Sequence, residues 1–334
     1  MTDQVSGRFF LAFGRVIESD IDLPLLAEIK SSEILRVEAQ IVVDNNPIPV
    51  PPALISRNPA QSITFHRGPS QVVVVMHQLG WLARLWSAST TITLHPIARG
   101  VTSRGGAIRT ANRVLSDRVV TNLLPYLPQL WGLWGIHGAL LDTPGGGVML
   151  LGPSWSGKST LSQVLARDHG WWILDDDTSM VTEIEPPCSF APMGAKARLR
   201  EDAAMYLGID IDSLESYSGR KGILSNEVQP RPHASQGVQA FVTVKPVDAP
   251  VRTISARTRP ECTALSGLEA MHSIFESFFS IESDLRTVIQ RQLSLSAKLS
   301  RIPHVSVRYS RGLHTPEQTA QEIASAIGPF LEVK

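Results

Sequence analysis

The sequence predicts an α/β domain over residues 127–334, preceded by a smaller, mostly-β domain over residues 1–126. Three observations carry this prediction. Short runs rich in Val, Ile, Thr and Phe fill the first hundred residues, with turn-forming stretches between them. A compact apolar run, a glycine-bearing loop and a helical pattern follow one another at 146–169. Beyond that point strand-like and helix-like patterns alternate to the C-terminus.

The N-terminal runs lie at 8–17, 34–43, 62–67, 71–77 and 91–97 and are divided by stretches such as DNNPIPVPP and RGPSQ. That spacing predicts a mostly antiparallel sheet ending near Gly105. IRTANRVLSDRVVTNLLPYL then sets Leu115, Val119 and Leu123 on one helical stripe, which Pro125 and Pro128 break. GIHGALLD (135–142) reads as a strand carrying His137, and Gly145, Gly146 and Gly147 lead into the buried strand of GGGVMLLG. KSTLSQVLARDHG has Leu161, Val164 and Leu165 at helical spacing and Gly170 as its stop. Trp171 to Leu174 read as a buried strand ending in Asp175, Asp176 and Asp177. QAFVTVKP reads as a strand, 261–279 and 284–301 as helices, and HVSVRYS as a late strand. TPEQ opens the last helix, with Thr315 as N-cap, Pro316 at the first helical position and Gln318 closing a capping box.

Composition removes several classes of function. The 31 basic and 31 acidic residues cancel, so bulk attraction to nucleic acid or an anionic membrane is not expected. No run approaches the ~18 apolar residues that read as a membrane span. FFLAF near the start is too short for a signal-peptide core and has no basic leader. Cys188 and Cys262 are isolated, without metal or C-x-x-C spacing. The expectation is a cytoplasmic chain with no nucleic-acid or membrane partner; a homo-oligomer is left open.

Gly152-Pro153-Ser154-Trp155-Ser156-Gly157-Lys158-Ser159, followed by Thr160, fits G-x-x-x-x-G-K-[ST]. The order strand, glycine loop, helix is the one a phosphate cradle needs. Glycines let backbone N–H groups converge on phosphates, and the helix N-terminus adds partial positive charge. Lys158 would reach the β- and γ-phosphates, and the Ser159 hydroxyl would ligate Mg²⁺. Pattern and context together predict that the loop binds a nucleoside triphosphate. Trp155 is not prescribed by the pattern; packing as a lid and plain surface exposure both fit it.

Asp175, Asp176 and Asp177 end a strand, and in an open parallel sheet that end lines the ligand crevice. Three adjacent carboxylates repel one another unless a cation offsets them, which points to Mg²⁺ nearby. Phosphoryl transfer to a hydroxyl needs one acid for the metal and one for the hydroxyl's proton. His137, taken alone, fits a structural role as well as an assisting one; the acids beside the same crevice favour the second.

Together these residues resemble the HPr kinase/phosphorylase family, bacterial serine kinases with a phosphoenolpyruvate-carboxykinase-like P-loop fold. His137-Gly138, Gly152 to Ser159 and Asp176-Asp177 stand where that family has its His-Gly, its loop and its Asp-Asp pair. The resemblance covers roughly residues 130–245. It implies an α/β P-loop kinase domain of the HPr kinase/PEP carboxykinase type, with ATP and Mg²⁺ as cofactors. It also implies that Asp176 is the base, that His137 assists it, and that Asp177 and Ser159 hold the metal. Family members that run the reverse phosphorolysis carry Glu-[Ile/Leu]-Arg-Gly-Leu-Gly downstream; here APMGAKARLRED stands instead, so phosphorolysis is not expected. In that segment Lys196 and Arg198, with Arg200, fit either an acceptor or phosphate site or a solvated basic edge. FLAFGRVIESDIDLPLL resembles the opening of HPr-kinase-related proteins that act on peptides, some on lasso-peptide precursors.

Competing functions lack their marks. No L-S-G-G-Q signature supports an ABC-type ATPase, and no N-K-x-D motif supports a switch GTPase. The expected function is transfer of the γ-phosphoryl group to a serine of a peptide or small protein. The alternatives are a small-molecule kinase of the shikimate or gluconate type, HPr kinase proper, and a nucleotide-binding sensor.

Overall fold

Alternating apolar residues build the first sheet, because successive strand side chains face opposite sides and one side must be covered. The computed structural model describes residues 8–34, 36–49, 63–67, 71–77, 79, 81–86, 90–97, 111–185, 188–194, 197–210, 212, 214–217, 220–222, 236–247, 259–279 and 285–331. Eight strands form this sheet: β1 (Arg8–Ala12), β2 (Arg15–Ser19), β3 (Ala27–Ile29), β4 (Ala39–Val43), β5 (Ile63–Arg67), β6 (Gln71–Met76), β7 (Trp81–Trp86) and β8 (Thr91–Pro96). Their order is β3-β1-β2-β4-β8-β7-β6-β5. β2–β4 and β4–β8 pair in parallel, and the other neighbours are antiparallel. Phe10, Ala12 and Ile17 are among the residues sealed in its core.

Three sequence expectations change here. The run 8–17 is a hairpin that turns at Phe13 and Gly14, both at positive φ. Of the described residues in the run 34–43, only 39–43 are strand. The strand Trp81–Trp86 was not expected, because WLARLW carries no β-branched residue; it is held by pairing to β6 and β8 on either side. The expected end of the sheet near Gly105 lies outside the described residues. α1 (Ala111–Asn122) buries Leu115 and Val119, and Leu123 just beyond it is buried too. Pro125 and Pro128 start a 3₁₀ turn and the short α2 (Leu127–Leu130), where a missing N–H costs nothing.

Contacts divide the chain after Leu133, with the start of the sixth helix counted in the first unit. The second unit holds β9 (Trp134–His137), β10 (Ala139–Thr143), β11 (Gly146–Leu151), α3 (Lys158–His169), β12 (Trp172–Asp175), β13 (Thr178–Glu183) and β14 (Ser189–Pro192). α4 (Glu201–Tyr206) and the hairpin of β15 (Glu215–Tyr217) and β16 (Arg220–Gly222) follow. The chain then forms β17 (Gln236–Val247), β18 (Glu261–Ala264), α5 (Gly267–Phe275), α6 (Leu285–Leu299), β19 (His304–Ser310) and α7 (Pro316–Ile327). Residues 261–264, expected as helix, are strand because they pair with β19 along four residues.

The nine-stranded sheet has two halves that share β17. The order is β12-β10-β11-β17-β14-β13-β9, with β19 also on β17 and β18 on β19. β17 pairs with β14 only through Gln236 and Gly237, and with β11 and β19 through the rest of its length. Besides passing along β17 itself, the chain crosses between the halves from β9 to β10 at Gly138 and from β12 to β13 at Asp176-Asp177. These crossings lie side by side, because the Gly138 N–H donates to the Asp177 carbonyl at 3.1 Å. A side chain at Gly138 would bring its Cβ within 2.7 Å of the Leu150 carbonyl, so only glycine fits. Val148, Leu150 and Val242 on one face pack with Leu161 and Val164 of α3 and Ile323 of α7. Met149 and Phe241 on the other face pack with Ile274 of α5 and with Leu295 and Leu299. Helices therefore cover both faces. α7 begins at the expected capping box, with Thr315 and Gln318 bonded in both directions. No helix among the described residues is long and apolar enough to cross a membrane.

Candidate active site

The loop 152–157 joins the C-terminal end of β11 to α3, and its backbone demands its glycines. Gly152 has φ 141° and would place a Cβ 2.7 Å from the Val244 carbonyl. Gly157 has φ 88°, and a Cβ there would meet the Tyr309 hydroxyl at 2.6 Å. Tyr309 also donates a hydrogen bond to the Ser156 carbonyl at 2.9 Å, so β19 buttresses the loop from outside. No side chain caps the start of α3, which leaves its first N–H groups open to an anion. The buried Ser156 hydroxyl also has no hydrogen-bond partner.

Lys158 opens α3 and is buried. Its ammonium donates to the Gly152 carbonyl at 2.8 Å and the Pro153 carbonyl at 3.2 Å, and lies 3.1 Å from His137 Nε2. Burial pushes its pKa down, against the pull of Asp177 and Asp176. His137 ends β9 and is about three-quarters buried. Its Nδ1 lies 3.0 Å from the Asp177 carbonyl oxygen, an acceptor, so Nδ1 carries the hydrogen and Nε2 accepts from Lys158. Burial and then the Lys158 charge lower its pKa, which keeps the ring neutral.

The acid turn follows from one internal device. Asp175 Oδ1 accepts from the backbone N–H groups of Asp177 and Thr178 at 2.9 and 3.0 Å, and its Oδ2 from Gly194 at 2.9 Å. Burial nevertheless raises Asp175 to about 7, outweighing those bonds. Of the three adjacent acids, then, only two present carboxyls to the loop. Asp176 is buried and hydrogen-bonded by the Ser159 side chain, and its Oδ1 has no partner. Burial raises it to about 7. The Asp177 carboxylate meets Arg198 at 2.9 Å and His137 Nδ1 at 3.5 Å.

The strand that carries these acids differs from the expected one. Trp172 is 51% exposed, because β12 is an edge strand paired antiparallel with β10 rather than a member of a parallel sheet. β10 is in turn antiparallel to β11, so β12 and β11 run the same way and their C-terminal ends meet at the loop.

The structure thus brings Lys158, His137, Asp176, Asp177, Ser159 and Arg198 together. Arg198 is engaged by Asp177, which differs from the solvated edge that its alternating pattern also allowed. Lys196 lies outside the described residues. Asp177 and Ser159, grouped by the sequence reading, are separated in their contacts: the Ser159 hydroxyl is on Asp176. Trp155 is 59% exposed, with its ring under the Arg200 guanidinium at 4.1 Å and its carbonyl bonded by Arg311. Nothing local in the sequence marks Tyr309 and Arg311, which reach the loop from more than 150 residues away.

The chain matches no family model and no curated protein. Among solved structures it matches the Hpr(Ser) kinase/phosphatase from Coxiella burnetii, with 14% identity over 58% of this chain and 88% of that one, at a TM-score of 0.28. A likeness at that level transfers nothing to this chain.

The donor set of the site suits a hard cation in part. Among the described residues no three His, Cys, Asp or Glu side chains cluster as a metal site. The oxygens available beside the loop are the Ser159 hydroxyl and the Asp176 and Asp177 carboxyls, the donor type Mg²⁺ takes; it usually needs only one or two from protein when phosphates supply more.

Proposed function

We propose that this chain is an ATP- and Mg²⁺-dependent kinase that transfers the γ-phosphoryl group to a serine hydroxyl of a peptide or small protein. One observation carries the reading: the lysine of a glycine loop lies 3.1 Å from His137, whose other ring nitrogen is on the acid turn. A bare phosphate cradle or a sensor has no need of that histidine and two buried acids.

In this reading the loop N–H groups from Gly152 to Thr160 and the Lys158 ammonium bind the phosphates. Lys158 leaves the Gly152 and Pro153 carbonyls to do so. Mg²⁺ would be held by Ser159 with Asp177, once Asp177 exchanges its Arg198 contact, and would neutralise charge on the phosphates. Asp176 takes the proton of the acceptor hydroxyl at Oδ1, the buried oxygen without a partner. Its raised pKa of about 7 matches it to that work, since a general base is most effective near the working pH. His137 stays neutral and fixes the turn that carries both acids. A hydroxyl and an aligned phosphoryl group need little else beyond positioning and charge stabilisation.

The test is Lys158→Ala in the full chain, assayed for transfer from ATP to serine peptides. The expected result is a loss on the order of 10²–10³-fold or more, as for other preorganised charge stabilisers, with the fold retained. Undiminished turnover would overturn the nucleotide reading. Transfer to shikimate or gluconate but to no peptide would replace the acceptor class.

A further inference from the structure

Within the phosphate loop Trp155 is the non-glycine residue in the left-handed region, at φ 74°. Bulky L-residues rarely adopt that conformation, and such outliers persist where surrounding contacts enforce them, above all at functional sites. Two contacts do so here. Arg311 donates to the Trp155 carbonyl, and the Arg200 guanidinium covers one region of the indole at 4.1 Å from its centroid. Although so held, the residue stays 59% exposed. The fold keeps a large aromatic ring in the solvent-facing wall of the loop at the cost of an unfavourable backbone.

The position of Arg200 says which end of the site this ring serves. Arg198 and Arg200 lie two residues apart in the stretch before α4, where Arg200 is extended (φ −74°, ψ 159°). Side chains two apart in an extended chain share a side. Arg198 reaches Asp177, and Arg200 reaches Trp155. The pair therefore spans from the acid turn to the indole. The catalytic acids mark the end at which an acceptor hydroxyl must arrive. Arg200 is half-exposed, and its ion-pair partner Asp202, at 3.2 Å, is a more exposed surface carboxylate that an incoming anion can displace.

We infer that Trp155 and Arg200 form the docking platform for the acceptor, a peptide that brings a carboxylate close to its acceptor serine. The carboxylate pairs with Arg200, and the adjoining apolar side chain lies on the indole. This inference rests on the kinase reading above and adds the determinant of acceptor choice.

The probe is a serine-terminated synthetic peptide with leucine before the serine, prepared as the free acid and as the C-terminal amide. The unaltered chain should show an acceptor KM about tenfold higher for the amide, the scale of one lost charged hydrogen bond. In Arg200→Ala the free acid should be as poor as the amide, so that the difference between the two peptides vanishes; Arg200→Lys should restore part of it. Trp155→Gly should raise the KM of both peptides alike, and Trp155→Phe, which keeps an aromatic face, should raise it less. Persistence of the acid–amide difference in Arg200→Ala would overturn the inference. So would failure of the unaltered chain to bind or phosphorylate either peptide while it still binds ATP, and that result leaves the nucleotide reading standing. Absence of ATP binding would overturn both.

Discussion

Two histidines of the second unit are kept neutral by burial, and they differ in what they touch. His304 is 4% exposed; its Nε2 shares a hydrogen bond with the Thr243 hydroxyl at 2.7 Å, and Thr243 meets Ser273 at 2.5 Å. Every group in that chain is uncharged. Burial, with Lys245 nearby, holds His304 down to about 4. His137 instead stands between an ammonium and a carboxylate, with a guanidinium beyond them. Burying formal charges is expensive, and a fold keeps them inside only where they are paired or used. The neutral network ties α5 to the sheet. The charged one, on the kinase reading, keeps partners that can be exchanged for phosphate.

Breaking the charged cluster at its base should give the largest effect. Asp176→Asn should leave ATP binding in place and reduce phosphoryl transfer by about 10²–10⁴-fold, the usual contribution of a positioned base. With Asp176 near 7, transfer by the unaltered chain should fall about tenfold per unit as pH drops below about 7. The variant should lose that slope. Equal pH profiles for the two proteins would remove Asp176 from the role.

The neutral cluster should fail differently. His304→Ala should lower unfolding stability by about 2–4 kcal/mol, through a cavity and the stranded Thr243 hydroxyl, while turnover per folded molecule is kept. The sign of its pH dependence follows from the depressed pKa. The unfolded histidine takes a proton near its ordinary value of 6.5, whereas the native one resists until about 4. Stability from His304 is therefore complete above about 6.5 and is lost as pH falls from there towards 4, at up to ~1.4 kcal/mol per unit. Chemical denaturation at pH 7, 6 and 5 should show a shallower acid-side decline in His304→Ala than in the unaltered chain. Parallel curves would contradict the burial argument.

The smallest effect should come from the buttress. Tyr309→Phe removes one hydrogen bond, to the Ser156 carbonyl, and keeps the ring. A single bond of this kind is worth about 0.5–1.5 kcal/mol, so ATP affinity should drop about two- to tenfold with stability nearly unchanged. An unaltered affinity would show that the loop holds its shape without β19.

Much of this site was legible because its signals are local. Gly157 and Gly170 sit at positive φ at the two ends of α3, where the spacing placed its boundaries. The Thr315–Gln318 capping box is equally local and was equally readable. What sequence did not reveal depends on pairing across distance. β7 has no β-branched residue and exists because β6 and β8 flank it. GIHGALLD reads as one strand, yet Gly138 parts it into two that border opposite ends of the sheet path. The resemblance gave roles to Asp176 and Asp177 only, and no local signal showed that backbone N–H groups claim the Asp175 carboxylate. Arg200 on Trp155 and Arg311 at its carbonyl had no signature, since one is 45 residues from the loop residue and the other 156.

The two side-by-side crossings at Gly138 and Asp176-Asp177 divide the site between the two halves of the sheet. The glycine loop belongs to one half of the sheet, held between β11 and α3. His137 and the turn carrying both acids stand where the chain passes into the other half. On the kinase reading, a copy in which only the loop's half has formed has a phosphate cradle without an aligned acid. The two halves close over different spans: β9 meets β13 across 41 residues, from His137 to Thr178, and β11 meets β17 across 91, from Gly147 to Val238. On that reading, a copy that lacks the β9–β13 pairing holds nucleotide without turning it over.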